Sequence, residues 1–317
     1  MTNRITKKTR KTSILLTCAM LLICASVRAD GGNSPGSNDK GIYGDDGRRD
    51  YFEADSKLQS LADSTVALVE KSDTRDTFEW LGLVKPQVHL RSPVYGRQAE
   101  LCKEERFFDQ RMAAFCSGAL VGPDLVLTAG HCITDDTSCA GTEFVFGFTI
   151  KEKGAKTPRR IPKGDVYGCK TLIARTPVTS GADYALIRLD RPVSGHAPMK
   201  VNRSKALITQ GTPLVVIGHP MGLPTKVTLG AKVWDPTPSG YFTSDADTFA
   251  GSSGSPVLNA NTGLIEGILV RGGKDFEVDW TRGCSRAYVC NSTSATETCR
   301  GEDITKISEV QDLIPAN

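Results

Sequence analysis

The 317-residue sequence contains no run of eighteen or more apolar residues, so it has no segment of the length a membrane-spanning helix needs. Histidines number only four and aromatics make up 7%, which leaves few seats for histidine chemistry. Cys-x-x-Cys pairs are absent, and the tightest cysteine spacing beyond residue 29 is Cys284 to Cys290 with no histidine nearby, which argues against structural zinc. A strong excess of one charge is lacking too. The formal net charge is +3, and residues 1–29 alone contribute six positive charges and no acid, leaving the remainder weakly acidic. No nucleic-acid partner is indicated. At 39% hydrophobic with mixed charges, the chain is long enough for one large domain or two modest ones and is not wholly disordered.

The basic run Arg4–Lys11, the apolar stretch Ile14–Val27 and the sequence Val27-Arg28-Ala29 read as a secretory signal peptide over residues 1–29. Its apolar core is short for a retained anchor, so the mature form is expected to be secreted, extracellular or periplasmic, with no membrane attachment. Eight cysteines then remain in an oxidising compartment: Cys102, Cys116, Cys132, Cys139, Cys169, Cys284, Cys290 and Cys299. An even number there points to disulfides.

Residues 30–60 are polar and glycine-rich and read as a flexible leader or propeptide. Beyond them, short apolar or alternating runs recur between turn signals: Thr65–Val69, Ala119–Thr128 broken at Gly122-Pro123-Asp124, Phe144/Phe146/Phe148/Ile150, Tyr184–Leu189, Leu214–Ile217, Lys226–Val233, Tyr241–Thr243 and Leu264–Val270. This pattern predicts an all-β sandwich or pair of barrels. Ile304, Ile307, Val310 and Leu313/Ile314 share one helical face behind a cap at Asp303, which predicts a C-terminal helix, and the polar run Asn291–Thr298 reads as a loop.

Three segments carry the chemistry. In Ala250-Gly251-Ser252-Ser253-Gly254-Ser255-Pro256-Val257, glycines around a serine let the backbone approach a bound carbonyl, with the N–H groups of Gly251 and Ser253 converging on an oxyanion. The same residues also describe a flexible linker. A serine nucleophile needs a base, and His131 stands at the end of the apolar run Leu125–Thr128, where a purely structural histidine is the alternative. Asp183 opens Asp183-Tyr184-Ala185-Leu186-Ile187-Arg188-Leu189. A carboxylate there is costly without a partner, and it reads either as the acid that orients an imidazole or as an ordinary strand cap.

Together, Thr128-Ala129-Gly130-His131-Cys132, the Asp183 strand and Gly251-Ser252-Ser253-Gly254-Ser255-Pro256 resemble the trypsin/chymotrypsin superfamily of serine endopeptidases in the chain order His131, Asp183, Ser253. That order differs from the Ser, acid, His order of α/β-hydrolases, whose Gly-x-Ser-x-Gly is also broken by Ser255. The resemblance implies two packed antiparallel β-barrels, one over residues 61–195 with His131 and Asp183 and one over 196–317 with Ser253. It implies peptide-bond hydrolysis through an acyl-enzyme, no cofactor, and a protein or peptide substrate. It also implies a Cys116–Cys132 disulfide; the other six cysteines allow fifteen connectivities.

Ser253–Val257 and Gly218-His219-Pro220-Met221-Gly222 make the bacterial branch that includes glutamyl endopeptidases the closest likeness. Where digestive trypsins carry an aspartate before the nucleophile, this chain has Ser252, so activation must differ, with removal of a leader ending near Lys40 or Arg48-Arg49 as the candidate route. Asp247, six residues before Ser253, matches the specificity-pocket aspartate and implies Arg or Lys preference, or else it ties down loop N–H groups. Arg271 and Gly272 are expected to line the cleft. A catalytically silent binding module on the same fold is the competing function.

Overall fold

The structure is a computed structural model that describes residues 41–77, 86–177, 181–204, 206–290 and 299–316. The signal segment 1–29 and the polar run 291–298 lie outside the described residues.

Twelve strands build two closed antiparallel β-barrels. The first comprises β1 (Thr65–Glu70), β2 (Cys116–Gly122), β3 (Leu125–Thr128), β4 (Thr142–Val145), β5 (Val166–Pro177) and β6 (Asp183–Leu189), in the order β5-β6-β3-β2-β1-β4 with β4 closing on β5. The second comprises β7 (Pro213–Gly218), β8 (Lys226–Asp235), β9 (Tyr241–Ser244), β10 (Pro256–Asn259), β11 (Ile265–Arg271) and β12 (Glu302–Lys306), in the order β7-β10-β11-β12-β9-β8 with β8 closing on β7.

Valine, isoleucine and leucine dominate these strands because branched side chains suit a pleated surface packed on a core. Strands β2 and β3 are buried along their whole length, which explains continuous apolar runs there rather than alternation. Val66, Leu68, Leu120, Leu127, Phe144, Leu186 and Ile187 fill the first barrel, and the same apolar cluster extends to Val215, Ile217 and Ile268 of the second. Each such side chain contributes roughly 1.5–3 kcal/mol by leaving water. Phe146, Phe148 and Ile150 are buried as the period-two pattern requires, although the strand itself ends at Val145.

The C-terminus corrects one expectation. Residues 302–306 are strand β12, paired with β9 and β11, and only two short 3-10 turns follow, Ile307–Glu309 and Gln311–Leu313. Ile304, Ile307, Val310 and Ile314 are indeed buried, but a strand followed by a turn reproduces the helical spacing of those four positions. Pairing on both sides with the barrel decides the conformation.

Residues from 41 onward are packed rather than free, which departs from a flexible leader reaching residue 60. Arg48–Asp50 adds antiparallel to Lys226–Thr228 of β8, and Ser56–Ala62 forms a helix capped by Asp55, whose carboxylate accepts from the Leu58 N–H. The insertion between β1 and β2 carries a small sheet shared with Arg160–Pro162 and is bridged to the second half of the chain by Cys102–Cys284. The remaining pairs are Cys116–Cys132, Cys139–Cys169 and Cys290–Cys299. Among the described residues no helix is long and apolar enough to cross a membrane.

Candidate active site

His131 lies three residues beyond the end of β3, after Ala129 and Gly130, and Asp183 is the first residue of β6, the strand paired alongside. That pairing brings the two together. The Nδ1 of His131 lies 2.7 Å from Asp183 Oδ2, and the His131 backbone N–H donates to Asp183 Oδ1 at 3.1 Å. Asp183 is only 4% exposed, while the imidazole keeps one edge toward solvent. With Nδ1 facing a carboxylate, the tautomer that donates there leaves Nε2 as the acceptor. Asp183 is itself fixed from the second barrel, because its N–H donates to Thr305 Oγ1 and that hydroxyl donates back to the Asp183 carbonyl.

The loop bearing Ser253 is held against the first barrel. The Ser117 N–H donates to the Ser253 carbonyl at 2.8 Å, and Cys132 Sγ, one residue beyond His131, lies 3.7 Å from the same oxygen. The loop turns through two left-handed residues, Gly251 (φ 85°) and Gly254 (φ 86°). A Cβ on Gly254 would sit 2.0 Å from the Ser117 carbonyl oxygen, and one on Gly251 would sit 2.7 Å from that of His219, so only glycine fits either place. This geometry favours a built loop over a flexible linker. Cys116, His131 and Cys132 gather their side-chain donor atoms closely, but the two sulfurs are bonded to each other and offer no thiolate to a metal.

Asp247 is placed on the loop leading to Ser253, 4% exposed, with both oxygens engaged by the N-terminal segment. Tyr43 N–H donates to Oδ1 and Gly47 N–H to Oδ2, each at 2.6 Å. Burial nevertheless pushes its carboxyl up to about 7, with the two backbone donors pulling the other way and Asp46 adding repulsion. The same segment is anchored by Arg48, whose guanidinium is bonded to Asp46 and stacked 4.2 Å from the Phe249 ring centroid. It is anchored again by a buried pair, Lys226 Nζ to Asp50 Oδ1 at 2.7 Å; burial brings that lysine down to about 8. Sequence reasoning missed this strap, since its partners lie some two hundred residues apart.

Arg271 ends β11, Gly272 follows it, and both are buried. The Arg271 guanidinium turns to Asp303 Oδ2 at 2.9 Å and to the Gly181 carbonyl at 2.9 Å, so it knits β11, β12 and the approach to β6 together. Three further residues touch the site without having stood out in the sequence. They are Ser117 and Thr305 and also Asp275, which accepts from the Ala250 N–H at 3.0 Å. Ser117 had a visible neighbour in Cys116, but a lone serine in an apolar strand gives no signal of what it will meet.

Residues 116–268 match a family model described as a trypsin-like peptidase domain. A probable serine protease of Lysobacter enzymogenes is 31% identical over 216 residues, covering 60% of this chain and 32% of the relative. Chymotrypsin-like elastase family member 3B of Macaca mulatta is 37% identical over 76 residues, covering 24% of this chain and 29% of the relative. The chain thus spans about a third or less of the length of these curated relatives. Among solved structures, the VesB protease of Vibrio cholerae aligns with a TM-score of 0.46 and 16% identity over 84% of this chain and 65% of that one.

Proposed function

We propose that this chain, whose residues 116–268 match a trypsin-like peptidase domain, is an exported serine endopeptidase of the trypsin-like superfamily acting on protein or peptide substrates. The observation that carries this reading is the His131–Asp183 contact at 2.7 Å beside a loop whose Ser253 carbonyl packs on Cys132. In the proposed mechanism, Ser253 attacks the scissile carbonyl while His131 Nε2 takes its proton. His131 then gives that proton to the leaving amine, and Asp183 holds the tautomer and stabilises the imidazolium. The N–H groups of Gly251 and Ser253 stabilise the oxyanion, and water hydrolyses the acyl-enzyme in a second, mirrored step. No cofactor is required by these steps.

Placement in the bacterial branch that includes glutamyl endopeptidases rests on the likeness of Ser253–Val257 and Gly218–Gly222 alone. Export rests on the signal-like residues 1–29. Activation by leader removal is best supported for a cut before Gly41, because a cut after Arg48 or Arg49 would strip a strand from the second barrel.

Two readings of Asp247 compete, and a specific observation favours each. Its position ahead of Ser253 supports a pocket for Arg or Lys, whereas its two bonds to the Tyr43 and Gly47 amides support an anchor for the N-terminal strap. Digestion of an unbiased peptide library by the purified protein beside its Ser253→Ala variant tests the hydrolase. Cleavage should vanish in the variant, and an equal cleavage pattern in both would refute the proposal. Adding Asp247→Ser separates the two readings, since Arg/Lys cleavage lost in that variant supports the pocket and an unchanged pattern supports the anchor.

A further inference from the structure

An oxyanion site built from backbone N–H groups works only if its peptide planes are prevented from turning over. In a trans peptide the C=O and the next residue's N–H point opposite ways, so whatever holds one carbonyl aims the following N–H. Four consecutive carbonyls of the nucleophile loop are held here. Ala250 O accepts from the Met221 N–H at 2.5 Å, Gly251 O from Ser117 Oγ at 2.8 Å, Ser252 O from the Ser255 N–H at 2.9 Å, and Ser253 O from the Ser117 N–H at 2.8 Å. Three of those four donors come from outside the loop, and two belong to Ser117.

Ser117 is fully buried on β2, next to Cys116, whose disulfide partner follows His131. Its hydroxyl donates to Gly251 O and accepts from the His219 N–H at 2.9 Å. His219 opens the turn that presents Met221, and its Nδ1 lies 2.9 Å from the Leu223 carbonyl, closing that turn. The imidazole is buried and driven down to about 4 by desolvation, so it stays neutral and Nδ1 can donate to that carbonyl. Met221 itself adopts a left-handed backbone (φ 52°), a strain for a residue with a side chain that a surface loop would shed by relaxing. The Gly218–Gly222 motif thus meets the nucleophile loop through Met221 N–H and through Ser117.

We infer that Ser117 is a positioning residue for the proposed hydrolysis. The Met221 N–H holds the Ala250–Gly251 plane that aims the Gly251 N–H, the Ser255 N–H holds the Ser252–Ser253 plane that aims the Ser253 N–H, and Ser117 clamps the Gly251–Ser252 plane that links the two and the Ser253–Gly254 plane beyond them, so that neither donor plane can turn. The inference rests on the endopeptidase reading. Because Ser117 acts on the oxyanion donors and not on the substrate, its removal should weaken transition-state binding and leave ground-state binding alone.

The test is steady-state kinetics on a peptide amide cleaved by the wild type, with affinity for a matching peptidyl boronic acid as the tetrahedral mimic. Ser117→Ala and His219→Leu are compared with wild type, per folded molecule by circular dichroism. The expected result for both is kcat lower by roughly tenfold to a hundredfold, KM within about twofold, and boronic acid affinity reduced in step with kcat. His219→Leu disturbs the turn from its far side and serves where Ser117→Ala folds poorly. Folded variants with wild-type kcat overturn the inference, as does a loss confined to KM. A wild type that neither cleaves peptides nor binds the boronic acid overturns the hydrolase reading, and the inference with it.

Discussion

Asp183 and Asp247 are both 4% exposed and both lie within the machinery around Ser253, yet the molecule treats them in opposite ways. Asp183 faces a side chain that can carry charge, and its backbone is pinned across the barrel interface by Thr305. Asp247 accepts from two backbone N–H groups of a strap that reaches in from the N-terminus, with the Asp46 and Arg48 side chains of the same strap acting on it through their charge. A buried carboxylate that accepts from an imidazole can hold its tautomer and orientation, whereas one that accepts from fixed backbone amides ties down the segment that supplies them. Sequence position alone would have ranked the two alike.

The sharpest way to break that contrast is at Asp183. Asp183→Asn should lower kcat by about ten-thousandfold with little change in folding, because the amide favours the wrong imidazole tautomer. A loss of less than about tenfold, measured on the same peptide amide, would remove Asp183 from the proposed mechanism.

A smaller effect is expected at Asp247, and it should appear in stability. Its folded carboxyl is pushed up to about 7 against an ordinary value of 3.8, so folding favours the protonated form. The resulting stabilisation is fully present below about pH 4, declines as pH rises toward 7 and is level above it, a total change of up to about 4 kcal/mol. Urea unfolding from pH 4 to 8 should show this decline in the wild type and not in Asp247→Asn. Parallel curves would mean that Asp247 is not the group responsible.

How much of this was legible before the structure varies with the range of the interaction. The segments of the candidate site stood out because each is local: a glycine-serine loop, a histidine just beyond an apolar strand, and an aspartate opening one. Short apolar runs between turns could be read as an all-β sandwich or pair of barrels, with the resemblance deciding for barrels, yet β5 was not read, since register shifts between Cys169 and Thr171 and between Leu172 and Ala174 interrupt its alternation. Strand β12 was hidden by a spacing that a helix would share. The strap on Asp247 and the Ser117 contacts to Gly251 and Ser253 join residues more than a hundred positions apart, and no local pattern encodes them.

The most direct test of the proposed chemistry is to treat the processed, folded protein with a fluorophosphonate and locate the adduct by peptide mass spectrometry. A single adduct on Ser253, lost in His131→Ala and in heat-unfolded protein, is the predicted result. A folded protein that takes up no label at Ser253, or reacts equally after unfolding, would contradict it and favour a binding module on the same pair of barrels.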